Sequence, residues 1–313
     1  MTRNTNPWIV ESGQAAQLGL SEQPFALAGG GPIPKAAGQM LARYLLLTEK
    51  KQAALSGLDN LSAELWEKEG RSLRLLIEPI QDAWFTMLPG NKGEPLVGNF
   101  LAHVTVDDAE KYLESLSEVV ETWNAVYDQS TGDIKPKFEV KSNKVEGRTR
   151  VEMIADVATT ARDPNVPQTN WMLEAAFGPE GKMVAQFWQV DDEQLVFGFA
   201  TETQMSQLLE RVDSGKPEQA VFDPAIATTK LLDQQATWQL LVQPNHCLAW
   251  ASRVLDELIY AGLSADHDPV FPAMTESPPL GITAKLDGES FECEIVCPAK
   301  TWVTLGEYLN KVN

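Results

Sequence analysis

Apolar positions along the chain follow two rhythms. From Lys35 the spacing is helical: Ala37, Met40, Leu41, Tyr44 and Leu45 share one face, and Leu55, Leu58, Leu61 and Leu65 predict a second helix after Gly57. Residues 72–77 fit either a strand or a helix, with Pro79 close behind, and Trp84, Phe85 and Leu88 end at Pro89-Gly90. The first section, up to about residue 94, therefore reads as irregular over residues 1–34 and mainly helical afterwards. Gly29-Gly30-Gly31 is expected to be a loop, because no apolar strand leads into it and no Gly-Lys-Ser/Thr follows to cradle a phosphate.

Beyond residue 95 the rhythm changes. Residues 96–106 alternate as a strand and run into Asp107-Asp108, whose carboxylates suit a helix start because they cap free amides and oppose the positive end of the helix dipole. Ala109, Tyr112, Leu113, Leu116, Val119, Val120, Trp123 and Tyr127 then form one apolar stripe that ends near Asp128. Three hairpins follow: 138–145 with 149–157 about Glu146-Gly147, 183–190 with 194–201 about Asp191-Asp192, and 282–286 with 291–297 about Asp287-Gly288. Two of them lead into amphipathic helices. One is capped by Thr201 with Gln204 and carries Met205, Leu208, Leu209 and Val212; the other follows Pro298 and carries Trp302, Leu305, Leu309 and Val312 as a core face.

The order strand, helix, hairpin occurs twice. The second copy has a strand at 238–242, a helix from Asn245 and the Asp287-Gly288 hairpin; its turn lies 141 residues after the first and its helix start 138. Duplicated units of this kind predict an α+β fold of antiparallel sheets, each with one apolar face covered by helices, behind a mainly helical N-terminal section. The expected sections are residues 1–94, 95–216 and 217–313, with a linker between Pro217 and Pro224.

Composition narrows the function. The 25 Lys plus Arg against 44 Asp plus Glu give a net charge of −19, which repels phosphates and anionic headgroups, so no nucleic-acid partner is expected. The cationic stretches at 135–144 and 148–150 read as solvated strand faces. No window approaches the ~20 apolar residues of a spanning helix, so membrane insertion is not expected either. The N-terminus lacks the apolar core of a signal peptide, leaving a cytoplasmic chain or an excised piece of an exported precursor. Cysteines are Cys247, Cys293 and Cys297. The last two share a strand face ~13 Å apart, too far to bridge, and are expected as buried free thiols.

Few residues invite chemistry. His103 lies on a strand and is expected to be half-buried and structural. At a helix start, His246 and Cys247 suggest an activated thiolate or, with Cys293 or Cys297, a metal site. Asp266-His267-Asp268 places an imidazole between two acids, a pattern that suits metal ligation or acid–base work. Trp188 alternates with Phe187; on a strand exposed on one side, one of the two would offer a platform to a sugar or a partner protein. Asp107-Asp108 and Asp191-Asp192-Glu193 are explained by a cap and a turn. No HExxH, GxSxG, phosphate-loop or dinucleotide pattern is present, and no cofactor is expected.

Phe177-Gly178-Pro179-Glu180-Gly181-Lys182-Met183 followed by Val190-Asp191-Asp192, and Ser277-Pro278-Pro279-Leu280-Gly281 with Val296-Cys297-Pro298-Ala299, resemble motifs of a family of uncharacterised planctomycete envelope proteins, over about residues 96–313. The resemblance implies an extracytoplasmic or periplasmic setting, with this chain as an excised fragment, and transfers no catalytic residue. The expectation is a non-enzymatic soluble binding or scaffold module for a protein or small-molecule partner. Its rivals are a metal-dependent hydrolase, using His267 with Asp266 and Asp268 or His246 with Cys247, and a carrier with a continuous apolar cavity above ~300 Å³.

Overall fold

A computed structural model describes residues 24–54, 57–91, 94–132, 135–157, 167–214, 225, 228–233, 236–257, 271–287 and 290–312. Its strands are β1 (Leu27–Pro32), β2 (Ile80–Met87), β3 (Phe100–Val106), β4 (Lys137–Val145), β5 (Arg148–Asp156), β6 (Lys182–Gln189), β7 (Gln194–Phe199), β8 (Trp238–Val242), β9 (Leu280–Asp287) and β10 (Ser290–Val296). The helices are α1 (Lys35–Gln52), α2 (Ala63–Ile77), α3 (Ala109–Gln129), α4 (Pro167–Phe177), α5 (Glu202–Ser214), α6 (Pro244–Leu255) and α7 (Ala299–Val312). The fold is α+β, as expected. Its strands make one antiparallel sheet in the order β10-β9-β8-β1-β2-β3-β7-β6-β5-β4.

Local chemistry explains several of these elements. Asp108 caps α3 by accepting from Lys111 N at 3.0 Å. Thr201 and Gln204 cap α5 reciprocally, with Thr201 N donating to Gln204 Oε1 at 2.8 Å and Gln204 N to Thr201 Oγ1 at 3.3 Å. Glu146 and Gly147 take positive φ values of 53° and 87°, the left-handed pair a two-residue hairpin needs. Asp191 Oδ1 closes the β6–β7 turn by accepting from Glu193 N and Gln194 N.

The N-terminal section departs from expectation. Residues 27–32 are a strand, not a loop, and residues 80–87 another; together they fill the centre of the sheet. The glycine triplet is there because its neighbours come too close for a side chain. A Cβ on Gly30, whose φ is +154°, would stand 2.1 Å from the Ala83 carbonyl oxygen and 2.9 Å from the Trp84 ring; on Gly29 it would meet Gln239 O at 2.5 Å. The glycines let β2 and the Trp84 indole pack tightly against β1.

The duplication is not a structural one. β8 pairs directly with β9, whereas β3 pairs with β7, and β6–β7 separates it from the β4–β5 hairpin. The two blocks build one sheet, joined through β1 and β2, and not one sheet each. The proposed linker, 217–224, lies outside the described residues.

Both faces of the central sheet are covered. One row, Ile295–Ile282–Leu240–Gly29–Phe85–Ala102–Phe197–Phe187–Val151–Ser142, crosses all ten strands on what we term the front face. Tyr112, Leu113 and Leu116 of α3 bury its centre against Ala102, Val104, Ala185 and Leu195; α2 packs beside α3 and α1 beside α2. The next row, Glu294–Thr283–Gln239–Gly30–Trp84–His103–Val196–Trp188–Arg150–Asn143, lies on the back face. There Met205 and Leu209 of α5 pack with Leu101, Trp188, Val196 and Leu241. Each such buried side chain contributes roughly 1.5–3 kcal/mol.

Helical period named the apolar faces of the two outer helices but not their direction. Met40, Leu41 and Tyr44 of α1 point outward, as do Trp302 (71% exposed) and Leu309 of α7. Helix α7 instead buries Thr301, Thr304 and Tyr308, and Thr301 Oγ1 donates to Pro278 O at 2.5 Å. A hydrogen-bonded threonine face anchors this helix where an apolar one was expected.

Candidate functional site

Trp188 is not an exposed platform. It and Phe187 are both buried, at 7% and 4%, because helices cover both faces of β6. The Trp188 indole donates to Gln186 Oε1 at 3.3 Å, and the Arg150 guanidinium lies 5.1 Å from its ring centroid. Arg150 also pairs with Glu152 and, at 3.0 Å, with Glu202 at the start of α5, while Arg148 holds Asp213 near its end at 2.6 Å. This aromatic–cationic band fastens α5 to the sheet.

His103 is half-buried, as expected, with Nε2 3.2 Å from Gln194 Oε1, and burial lowers its pKa, favouring the neutral ring. On the same face of the neighbouring strand, burial pushes the Asp82 carboxyl up to about 6. The Trp84 N–H pulls it back part of the way without reaching bonding geometry.

The helix-start pair does not assemble a metal site. His246 Nδ1 contacts Phe25 O at 2.9 Å, and the Cys247 thiol donates to Ala26 O at 3.3 Å. Burial raises the Cys247 pKa, outweighing the backbone hydrogen bond with Gln243 that lowers it, whereas a helix start was expected to lower it overall. All three cysteines are free, but Cys293 on β10 and Cys297 just beyond its end are exposed, not buried. No group of three or more His, Cys, Asp or Glu side chains is placed to hold a metal among the described residues. Asp266, His267 and Asp268 lie outside those residues.

A concavity is built elsewhere, on the back face of β4–β5–β6. It is a cleft of about 540 Å³. Its floor is the row Glu139–Ile154–Val184, flanked by Lys137, Asp156 and Lys182 on one side and Lys141 on the other. Its wall is the end of α4 and the turn after it, Phe177-Gly178-Pro179-Glu180, with Pro95 against them. Backbone bonds tie that wall down: Leu96 N donates to Ala175 O and Val97 N to Ala176 O, both at 2.9 Å, and Gly178 N to Glu174 O at 2.8 Å. Gly178 has a φ of +84°, and a Cβ there would lie 3.2 Å from Pro95 Cγ, so the turn needs glycine for its backbone shape.

The cleft alternates charge over an apolar floor. Lys141 pairs with Glu139 at 3.2 Å and Lys182 with Glu180 at 3.8 Å. Its volume exceeds the ~300 Å³ expected of a carrier, but six charged side chains line it. It is not a continuous apolar cavity. One side of it belongs to β4, the last strand of the sheet, whose outer edge meets no strand among the described residues. Lysine at every second or fourth position looks the same on a solvated face and on a cleft rim, so the spacing of Lys137 and Lys141 carries no signal of a cleft.

The fold and cleft define an α+β protein built on a single broad antiparallel sheet. Comparison with protein-family models, with curated proteins and with solved structures returns no match.

Proposed function

We propose that the chain is a non-catalytic binding module that takes an extended polypeptide segment along the outer edge of β4. One observation carries this reading: a strand edge with no partner strand among the described residues and a cleft of about 540 Å³ share the same side chains, Lys137, Glu139 and Lys141. A segment laid on that edge satisfies backbone donors and acceptors of β4, while every second side chain enters the cleft. The lysines along the rim favour acidic side chains at alternate positions of the segment, on the cleft face. The motif resemblance supports an extracytoplasmic or periplasmic setting for this activity.

A fluorescein-labelled nonapeptide alternating glutamate and valine tests the reading by anisotropy on the full chain. Binding with a Kd of about 10 μM is expected, weakened about tenfold by Lys141→Glu. A peptide that fails to bind, or that binds the variant equally well, overturns the proposal.

A further inference from the structure

Resting on that reading, we infer that the segment received by β4 is strand β10 of a second copy, so that the sheet continues from one molecule to the next. Nine successive antiparallel pairings separate β10 from β4, so the two edge strands run in opposite directions. A second copy in the same orientation therefore presents β10 antiparallel to β4. The rows that cross the sheet show that the faces also agree: Glu294 lies on the face of Asn143, and Ile295 on the face of Ser142. Back then meets back, and front meets front.

Side-chain chemistry matches on both faces. On the back, β10 exposes Glu292 and Glu294, while β4 exposes Lys137 and Lys141. Pairing Glu294 opposite Lys141 sets Glu292 opposite Asn143 and places no two like charges directly across from one another. On the front, the same register puts Ile295, 70% exposed in the single chain, opposite half-buried Val140. Phe138, the next front-face residue of β4, already packs on Trp123 and Tyr127 at 5.2 and 5.6 Å between centroids. The incoming apolar row thus extends an existing aromatic cluster. Two β10 strands edge to edge would instead oppose glutamate to glutamate at full overlap, so that closed dimer is disfavoured. Because the donor and acceptor edges differ, the contact is heterologous and propagates from copy to copy, into a ring or an open chain according to the rotation between copies.

Charge exchange tests this in the intact protein by sedimentation velocity. The wild type is expected to exceed its 34.5 kDa monomer mass increasingly as concentration rises to about 100 μM. Lys141→Glu and Glu294→Lys should each weaken association at least tenfold, and the mixture of the two variants, or the double variant, should recover it. A wild type that stays monomeric, or association indifferent to Glu294→Lys, overturns the inference; the second result would indicate pairing of two β4 edges or contact through α1 or α7. The alternating nonapeptide separates the two proposals. If it binds a strictly monomeric chain, only the identity of the occupant is wrong; if it fails as well, the binding role of β4 falls with it.

Discussion

The Trp123 indole on α3 donates to Glu69 Oε1 on α2 at 3.2 Å, while Glu69 Oε2 is buried with no hydrogen-bond partner. Burial, aided by the charge of Glu49 on α1, raises the Glu69 pKa to about 7. The folded state therefore holds a proton that the unfolded chain releases near 4.5. Stability is unaffected by this group below pH 4.5 and is lost as pH climbs towards 7.

Glu69→Gln keeps the acceptor for Trp123 and cannot ionise. The rise from 4.5 to about 7 corresponds to at most roughly 3 kcal/mol. Urea melts should show the variant more stable than wild type at pH 8 by up to that amount, with the difference vanishing at pH 4. A gap that is the same at both pH values would refute the ionisation account.

Gly30→Ala should be among the most damaging single changes in the chain. The added Cβ meets Ala83 O and the Trp84 ring at a φ of +154°, with no flexible neighbour to yield. A loss of about 3 kcal/mol or more is expected. Gly306→Ala on α7 has nothing within 4 Å of the new Cβ and should stabilise by up to about 1 kcal/mol through helix propensity. Chemical denaturation of the pair checks both signs.

Arg150 and Arg148 hold opposite ends of α5 but should differ in worth. Arg150, 12% exposed, covers Trp188 and neutralises Glu152, whereas Arg148, 29% exposed, makes one pair with the more open Asp213. Arg150→Ala is expected to cost about 2–3 kcal/mol and to shift tryptophan emission; Arg148→Ala should cost under about 1 kcal/mol. Equal losses would show that the ring contact contributes nothing.

Thiol reactivity should split in the folded protein. Cys293 and Cys297 are exposed and should react with Ellman's reagent at once, while Cys247, half-buried with its pKa raised by burial, should react slowly until denaturant is added. Prompt reaction of all three thiols would contradict the placement of Cys247 beside Ala26.

Much of the fold was legible where the signal is local. The β4–β5 turn needs only Glu146 and Gly147, and α3 needs only its stripe and the Asp108 cap. Strand β1 was not legible, because three glycines carry no alternation to read; their meaning comes from the backbones of β2 and β8 on either side. Helix α7 was half legible: period grouped Trp302 with Leu309, but Thr301 bonding to Pro278 turned that group outward. The candidate cleft was least visible, since Lys137 and Lys141 become a rim only once β6 and β7 come between β3 and β5 and leave β4 at the edge.

By itself, the order of residues determined the caps, the hairpins, the amphipathic stripes and the acidic balance, all of which depend on neighbours within a few positions. Only the tertiary structure decided that a single sheet holds every described strand, that both faces of Phe187 and Trp188 are closed, and that β4 and β10 are its two ends. Those outcomes turn on pairings between distant segments, such as Gly30 with Gln239 and Trp84, whose close approach no local pattern of polarity encodes.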